Sequence, residues 1–315
     1  MNELDDLDIS ILKMLTTNSR MSDHSMAKML QVTTNTVKNR IRKLMKEGVL
    51  QGFETHLSAT FFNATHCWLS AQLYGNEPEG KIVEELGEID KVSFIMPTTE
   101  KLMLIAMDFF NSTDLDNTIQ QISGRKGITE IQTYIYSSQH LHKKIDISPL
   151  DWKIIKSIRF NSRKSPSEIA RECGISTRTV NRRLRRLYNG GVVHHIITFD
   201  PMASKGTIVY GIFVEYDVRV PRDRIVKSIA SSVKNLFNHF VMVNSPTILM
   251  IFFGKRFSDI HDNENAIKAG EGVRSIKTYF CTKVYHFKDW RDKLIEKNTE
   301  PHAREKVVPN FEEEE

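Results

Sequence analysis

Between Val180 and Leu187 the apolar positions are Val180, Leu184 and Leu187, and every residue between them is polar or charged. With Val180 at zero on a helical wheel, Leu184 and Leu187 fall within about 40° of it. The spacing predicts a helix with one narrow buried stripe. Arg178, Asn181, Arg182 and Arg185 lie opposite that stripe, Arg186 flanks them, and Arg183 lies near the buried edge. There Arg183 is expected to snorkel or to pair with a local acid.

The same pattern occurs 143 residues earlier, where TTNTVKNRIRKL stands in place of STRTVNRRLRRL. Sliding the chain by 143 aligns Leu7–Gly48 with Leu150–Gly191 without a gap, and 16 of the 42 pairs are identical. Asn18-Ser19-Arg20 repeats as Asn161-Ser162-Arg163. That density without gaps implies a duplicated domain, and a period this long is not that of a solenoid.

Each copy opens with three short helices. In the second, Asp151 is expected to cap a helix whose Ile154, Ile155 and Ile158 share a face. Ser165-Pro166-Ser167-Glu168 reads as a capping box with proline at the first helical position. That helix should stop near Gly174, and Ser176 should cap the arginine helix; Ser22 and Thr33 occupy the matching caps of the first copy. Gly190-Gly191 reads as the end of the arginine helix, not as a phosphate loop. A short β segment follows in each copy, giving a winged helix-turn-helix pattern.

The remainder alternates strand and helix as βαββαβ. In copy one the strands are 66–74, 92–97, 102–110 and 128–136, with helices at 79–89 and 112–123. In copy two the strands are 209–216, 237–243, 248–253 and 273–285, with helices at 222–234 and 259–269. The order suits a ferredoxin-like sandwich. The fold class expected is therefore α+β, a winged helix-turn-helix plus a ferredoxin-like βαββαβ sandwich, duplicated. Its divisions are 1–58 and 147–202 for the helix-turn-helix units, 59–146 and 203–290 for the sandwiches, and 291–315 for a charged C-terminal tail.

Charge sharpens this picture. The tail carries five basic and eight acidic residues, so the rest of the chain is more basic than the overall +5. A basic body suggests a polyanion partner. Residues 150–191 hold eleven bases and three acids; residues 7–48 hold eight and three. Cys67, Cys173 and Cys281 lie far apart, and neither His140-Leu141-His142 nor His194-His195 has ligands at metal spacing. No metal or cofactor is expected, and a reducing, cytoplasmic compartment is the simplest home. The acidic start MNELDDLD is unlike a signal peptide, and the longest apolar runs are strand-length, too short to span a bilayer. No nucleophilic triad or carboxylate pair stands out, so no enzyme is expected.

Residues 4–50 and 151–193 each resemble the N-terminal signature of the Lrp/AsnC family of transcription regulators. With the βαββαβ order the resemblance covers roughly residues 3–288, twice over. It implies double-stranded DNA as the partner, a possible small-molecule effector and homo-oligomers formed through the ferredoxin-like domains. The departure is the tandem form, because the usual member carries one copy and dimerises. One chain is thus expected to act as a pseudo-dimer with two unlike recognition helices.

An arginine helix with no acid suits a major groove, where residues near its N-terminal end reach base edges. The base-contact candidates are Thr177, Arg178, Asn181 and Arg182, matched in copy one by Thr34, Asn35, Lys38 and Asn39. Arg185, Arg186, Arg42 and Lys43 are the phosphate candidates. The family's effector site lies near the turns after the second strand of each sandwich. That position points to Thr98, Thr99, Asn244 and Ser245, although neither turn carries the glycine or aspartate common there. Two alternatives stand beside this reading. Siroheme decarboxylases resemble the architecture and act on a tetrapyrrole, but the nearest match to their His-Asn-Tyr-x-Arg stretch, Asn238-His239-Phe240, lacks the arginine. An architectural protein binding DNA without sequence choice is the other.

Overall fold

The computed structural model describes residues 3–136 and 145–300. Copy one runs α1 (Asp6–Thr17), α2 (Asp23–Leu30), α3 (Thr34–Lys46), β1 (Leu50–Leu57), β2 (Thr65–Leu73), α4 (Glu79–Gly87), β3 (Val92–Pro97), β4 (Leu102–Phe109), α5 (Ser112–Ser123) and β5 (Ile128–Tyr136). Copy two runs α6 (Pro149–Ile158), α7 (Pro166–Cys173), α8 (Thr177–Asn189), β6 (Val193–Phe199), β7 (Ile208–Tyr216), α9 (Arg222–Ser232), β8 (Leu236–Val241), β9 (Thr247–Gly254), α10 (Phe257–Lys268) and β10 (Val273–Phe280). Two elements follow the repeat, β11 (Tyr285–His286) and α11 (Trp290–Thr299).

The caps form as the sequence dictates. Ser22, Thr33, Ser165 and Ser176 each accept a backbone N–H from the third helical residue, and Ser165 with Glu168 makes the full box. One cap differs. Ser148, followed by Pro149, is the N-cap of α6, and Asp151 is the third helical residue, returning a bond to the Ser148 N–H. The Ser-Pro pair outcompetes the aspartate because proline fits the first helical position.

The sheets explain the apolar runs. The first is ordered β11-β3-β4-β2-β5 and the second β10-β7-β9-β8, both antiparallel. In β4, Met103, Ile105 and Met107 face the helix-side core with Ile82, Val83 and Leu86, while Leu102 and Leu104 belong to a different core. In β9, Ile248, Met250 and Phe252 pack with Ile225 and Ile229 of α9, while Leu249, Ile251 and Phe253 share the core of Leu104. A strand alternates its side chains, so one buried on both faces must be apolar throughout. The two sheets therefore pack face to face, with the helices on their outer sides.

The two copies are also joined strand to strand. β1 and β6, which follow the two helix-turn-helix units, pair antiparallel with each other from Leu50↔Phe199 to Leu57↔Val193. Two departures from the sequence reading occur at the C-terminal end. The strand expected over 273–285 stops at Phe280. The chain then crosses to the first sheet through a Cys281–Thr98 bridge, and Tyr285–His286 pairs with β3. The span 291–315, expected as a charged tail, overlaps a packed helix instead: in α11, Trp290, Arg291, Asp292 and Ile295 are buried. Residues 301–315 of that span, and the His140-Leu141-His142 pair, lie outside the described residues.

Candidate nucleic-acid interface

Each recognition helix is held by the same device. Asp8 and Asp151 are fully buried carboxylates at the third position of α1 and α6. Asp151 accepts from Arg183 at 2.9 Å and from Arg186 at 2.6 Å; Asp8 lies 3.2 Å from Arg40 and 3.4 Å from Lys43. Burial acts to raise the Asp151 carboxyl. The Ser148 hydroxyl and N–H, Arg183 and Arg186 outweigh it and hold the group below the usual carboxylate range. The buried-edge arginine thus ties α8 to α6. This device also engages Lys43 and Arg186, two of the phosphate candidates, from within the chain.

The other candidates point outward. In α8 the stripe Val180, Leu184 and Leu187 is buried, and in α3 Val37, Ile41 and Leu44 are. Thr177, Arg178, Asn181, Arg182, Arg185 and Arg186 are exposed and line one open groove along the helix, beside Ile145. In α3, Thr34, Asn35, Lys38, Asn39 and Arg42 are exposed, and Lys43 is half-buried. The structure therefore gathers each set on one surface, with the second richer in guanidinium groups.

What fixes the two surfaces relative to each other is the repeated Asn-Ser-Arg turn. The Ser19 and Ser162 hydroxyls meet at 2.6 Å. Arg163 donates to the Ser19 carbonyl at 2.8 Å, to the Met21 carbonyl at 3.0 Å and to Asp23 at 3.1 Å. Arg20 reciprocates on the carbonyls of Ser162 and Lys164. Backbone bonds Ser19 N–H to His195 O and Ser162 N–H to Phe53 O complete a pseudo-two-fold clasp. The wing histidine His195 is part of this joint. It is buried, stacks on Tyr188 and lies 3.0 Å from the Thr55 hydroxyl. Burial, with Arg20 nearby, pushes its pKa down to about 4, so it is neutral at pH 7.

The effector candidates lie where the two sandwiches join. Thr98 is buried and bridges Cys281, and the Thr99 N–H donates to the Phe280 carbonyl at 3.0 Å. The Asn244 amide donates to the Thr133 carbonyl at 2.7 Å and accepts the Ile135 N–H at 2.9 Å. Each turn thus grips the last strand of the other copy. The side-chain hydroxyls of Thr98 and Ser245 are buried and meet no hydrogen-bond partner among the described residues.

A further group of residues was not singled out in the sequence. Arg291 of α11 donates to the Leu57 carbonyl at 3.0 Å and pairs with Asp108 and Asp289, all buried. Asp108 also meets His66 at 2.6 Å and the Trp290 indole N–H at 3.0 Å. Arg159, at the end of α6, forks onto Asp292 at 2.7 and 3.0 Å and reaches Glu54 at 2.6 Å. α11 therefore clamps the second helix-turn-helix unit to the first sandwich. Among the described residues, no group of three or more His, Cys, Asp or Glu could hold a metal ion, and no helix is long and apolar enough to cross a membrane.

Comparison with known proteins agrees with this geometry. The model of the AsnC-type helix-turn-helix domain matches residues 4–45, and that of winged helix-turn-helix DNA-binding domains matches residues 147–194. An uncharacterised HTH-type transcriptional regulator of Pyrococcus furiosus is 32% identical over 138 residues, which are 42% of this chain and 90% of that protein. The HTH-type transcriptional regulator LysM of Sulfurisphaera tokodaii is 26% identical over 136 residues, 43% of this chain and 96% of LysM. Each of these relatives thus aligns with less than half of this chain. Over the full length, the crystal structure of the siroheme decarboxylase NirDL matches with a TM-score of 0.60 at 12% identity, covering 93% of this chain and 97% of that one.

Proposed function

This chain belongs to the Lrp/AsnC family of helix-turn-helix transcription regulators, and on that premise we propose that it reads two unlike DNA half-sites as a built-in pseudo-dimer. The observation that supports this reading is the reciprocal clasp of Asn18-Ser19-Arg20 on Asn161-Ser162-Arg163, which joins the two helix-turn-helix units through the turns ahead of α2 and α7. Thr177, Arg178, Asn181 and Arg182 read bases in one half-site, and Thr34, Asn35, Lys38 and Asn39 in the other. Arginine fits guanine O6 and N7, and asparagine fits adenine N6 and N7, so the halves differ in kind. Arg42 and Arg185 face phosphates. Lys43 and Arg186 contribute less, because Asp8 and Asp151 already hold them.

The protein acts in the cytoplasm, without catalysis. A small effector acts at the joined turns around Thr99 and Ser245, and chains associate through the sandwich domains. With Arg42 and Arg185 on phosphates and Lys43 and Arg186 contributing less, about two to four phosphate contacts, log K should fall with log salt at a slope near −2 to −4. A titration showing no duplex binding at low salt sinks the proposal. Binding that unrelated duplex competes away equally well favours the architectural alternative.

The full-length match to a siroheme decarboxylase makes tetrapyrrole chemistry the second reading. Against it stands the packing between the sheets. Trp68 contacts Phe94 and Phe240 at ring centroids of 5.9 and 5.5 Å, and Tyr134 contacts Phe213 at 5.0 Å, filling that space with side chains. Asn238-His239-Phe240 lies on β8, where Asn238 and His239 are exposed and Phe240 joins this aromatic cluster. The visible spectrum after tetrapyrrole addition should show no bound-ligand band.

A further inference from the structure

The duplication has inverted charge at matching positions of one exposed helix. α4 and α9 occupy the same place in the two copies, with Ile82 matching Ile225 and Leu86 matching Ile229 in the buried stripe. On the outer side, Glu79 is matched by Arg222 and Glu84 by Lys227. The buried positions keep their character, while on the outer side these two positions reverse sign, Glu85 and Glu88 are replaced by Ser228 and Ser231, and Lys81 stays basic as Arg224. Each face carries one opposite charge, Lys81 on α4 and Asp223 on α9, and keeps a net excess of acid on α4 and of base on α9.

Local pairing does not cancel the excess. Lys81 lies 3.9–4.0 Å from Glu77 and Glu85, and Arg125 and Lys126 reach the same two carboxylates, but Glu84 and Glu88 are exposed, and they sit four residues apart on one face. Like charges at that spacing repel. On α9, Arg224 reaches Glu271 at 3.5 Å, while Arg222 and Lys227 are exposed. A shallow groove crosses α9 between Asp223, Arg224, Lys227, Ser228 and Ser231. Ser228 and Ser231 stand where copy one has Glu85 and Glu88, so the basic face is also the one with room for an approaching helix.

Within one chain the two faces cannot meet. The sheets pack against each other through Leu104, Phe213, Leu249 and their neighbours, which leaves α4 and α9 on the outer sides of different sheets. We propose that the acidic α4 face of one chain docks on the basic α9 face of a second copy. Such a contact joins unlike patches, so it is head-to-tail. It leaves one free face at each end and builds rings or open arrays, not a closed two-fold dimer. On a duplex this would align successive pseudo-dimers along the DNA. The inference rests on the reading that chains associate through their sandwich domains.

Sedimentation velocity on the full chain tests it, at about 0.05 M and about 0.5 M salt, where screening lengths differ severalfold. The wild type should form species that grow with concentration at low salt and fall apart at high salt. Glu84→Lys with Glu88→Lys should abolish growth, as should Arg224→Glu with Lys227→Glu. Mixing these two variants should restore it, because each then offers the face the other needs. A wild type that never associates removes the underlying reading along with this one. Association that persists in both variants, or a mixture that stays as single chains, overturns the α4–α9 docking alone. If the α9 variant keeps its mass but loses DNA affinity, that face is a nucleic-acid contact and the proposal is wrong.

Discussion

Replacing Arg291 by alanine should free α11 from the rest of the molecule. The guanidinium bonds the Leu57 carbonyl, Asp108 and Asp289, and all three charged groups are 2–5% exposed. Arg291 is held charged because the carboxylates outweigh its burial, and Asp108 is held well below the usual carboxylate range. Removing the cation leaves two carboxylates in a site that water reaches poorly. Breaking a buried ion pair from one side costs about 3–5 kcal/mol. Asp108 keeps His66 and the Trp290 indole as partners, which argues for the lower half of that range. A chain of several domains does not unfold in one step, so the loss should be read locally. Amide hydrogen exchange should show α11 protection falling about two orders of magnitude, limited by the helix's own opening free energy. Arg291→Met combined with Asp108→Asn should recover only part of the loss, because Asp289 still stays buried without its cation. Unchanged protection in α11, or an equal loss across all helices, would refute the clamp.

Three other expectations concern the end of α2 and the joint between the copies. Gln31 ends α2 in the left-handed region at φ 55°, where its repeat partner is Gly174 at φ 67°, so Gln31→Gly should stabilise the first helix-turn-helix unit by about 0.5–1 kcal/mol, read as slower exchange in α2. His195 is held neutral with a pKa of about 4, below its unfolded value near 6.5, so it contributes stability above pH ~6.5 that is lost as pH falls toward 4. That contribution is on the order of 3 kcal/mol, and His195→Gln should make the pH profile of thermal unfolding shallower in that window; an unchanged slope would count against it. Arg163→Ala should lower affinity for a duplex carrying both half-sites by about tenfold while leaving single half-site affinity alone, since it loosens the pair and not the readers.

Features set by local spacing were legible in the sequence. The stripe Val180–Leu184–Leu187, the caps Ser165 and Ser176 and the βαββαβ order depend on neighbours within a few residues. What was not legible depends on distant partners. Arg291 and Asp292 read as solvated tail because charged residues are seldom buried unless paired. Their partners Asp108 and Arg159 lie 183 and 133 residues away. The strand after Val273 ends at Phe280 because Cys281 and Thr282 meet the edge at Pro97 and Thr98, which no periodicity announces. The capture of Lys43 and Arg186 left a weak trace. Asp8 and Asp151 each precede their basic partner by 35 residues in both copies, a repeat of acid and base that invited pairing. Asn-Ser-Arg was visible as a repeated word, but its role as a mutual clasp needed both copies in space.

The central claim is that one chain divides an operator between two unlike readers, and selection from a random duplex library with the full-length protein tests it most directly. The enriched sites should hold two unlike halves about one helical turn apart, or a multiple of it, with guanine favoured in one half where adenine is favoured in the other. Repeating the selection with Arg182→Ala should relax choice in the guanine half alone, at a cost of about 1–3 kcal/mol, and Asn39→Ala should relax only the other. A perfectly symmetric site, or equal loss in both halves from Arg182→Ala, would contradict the account.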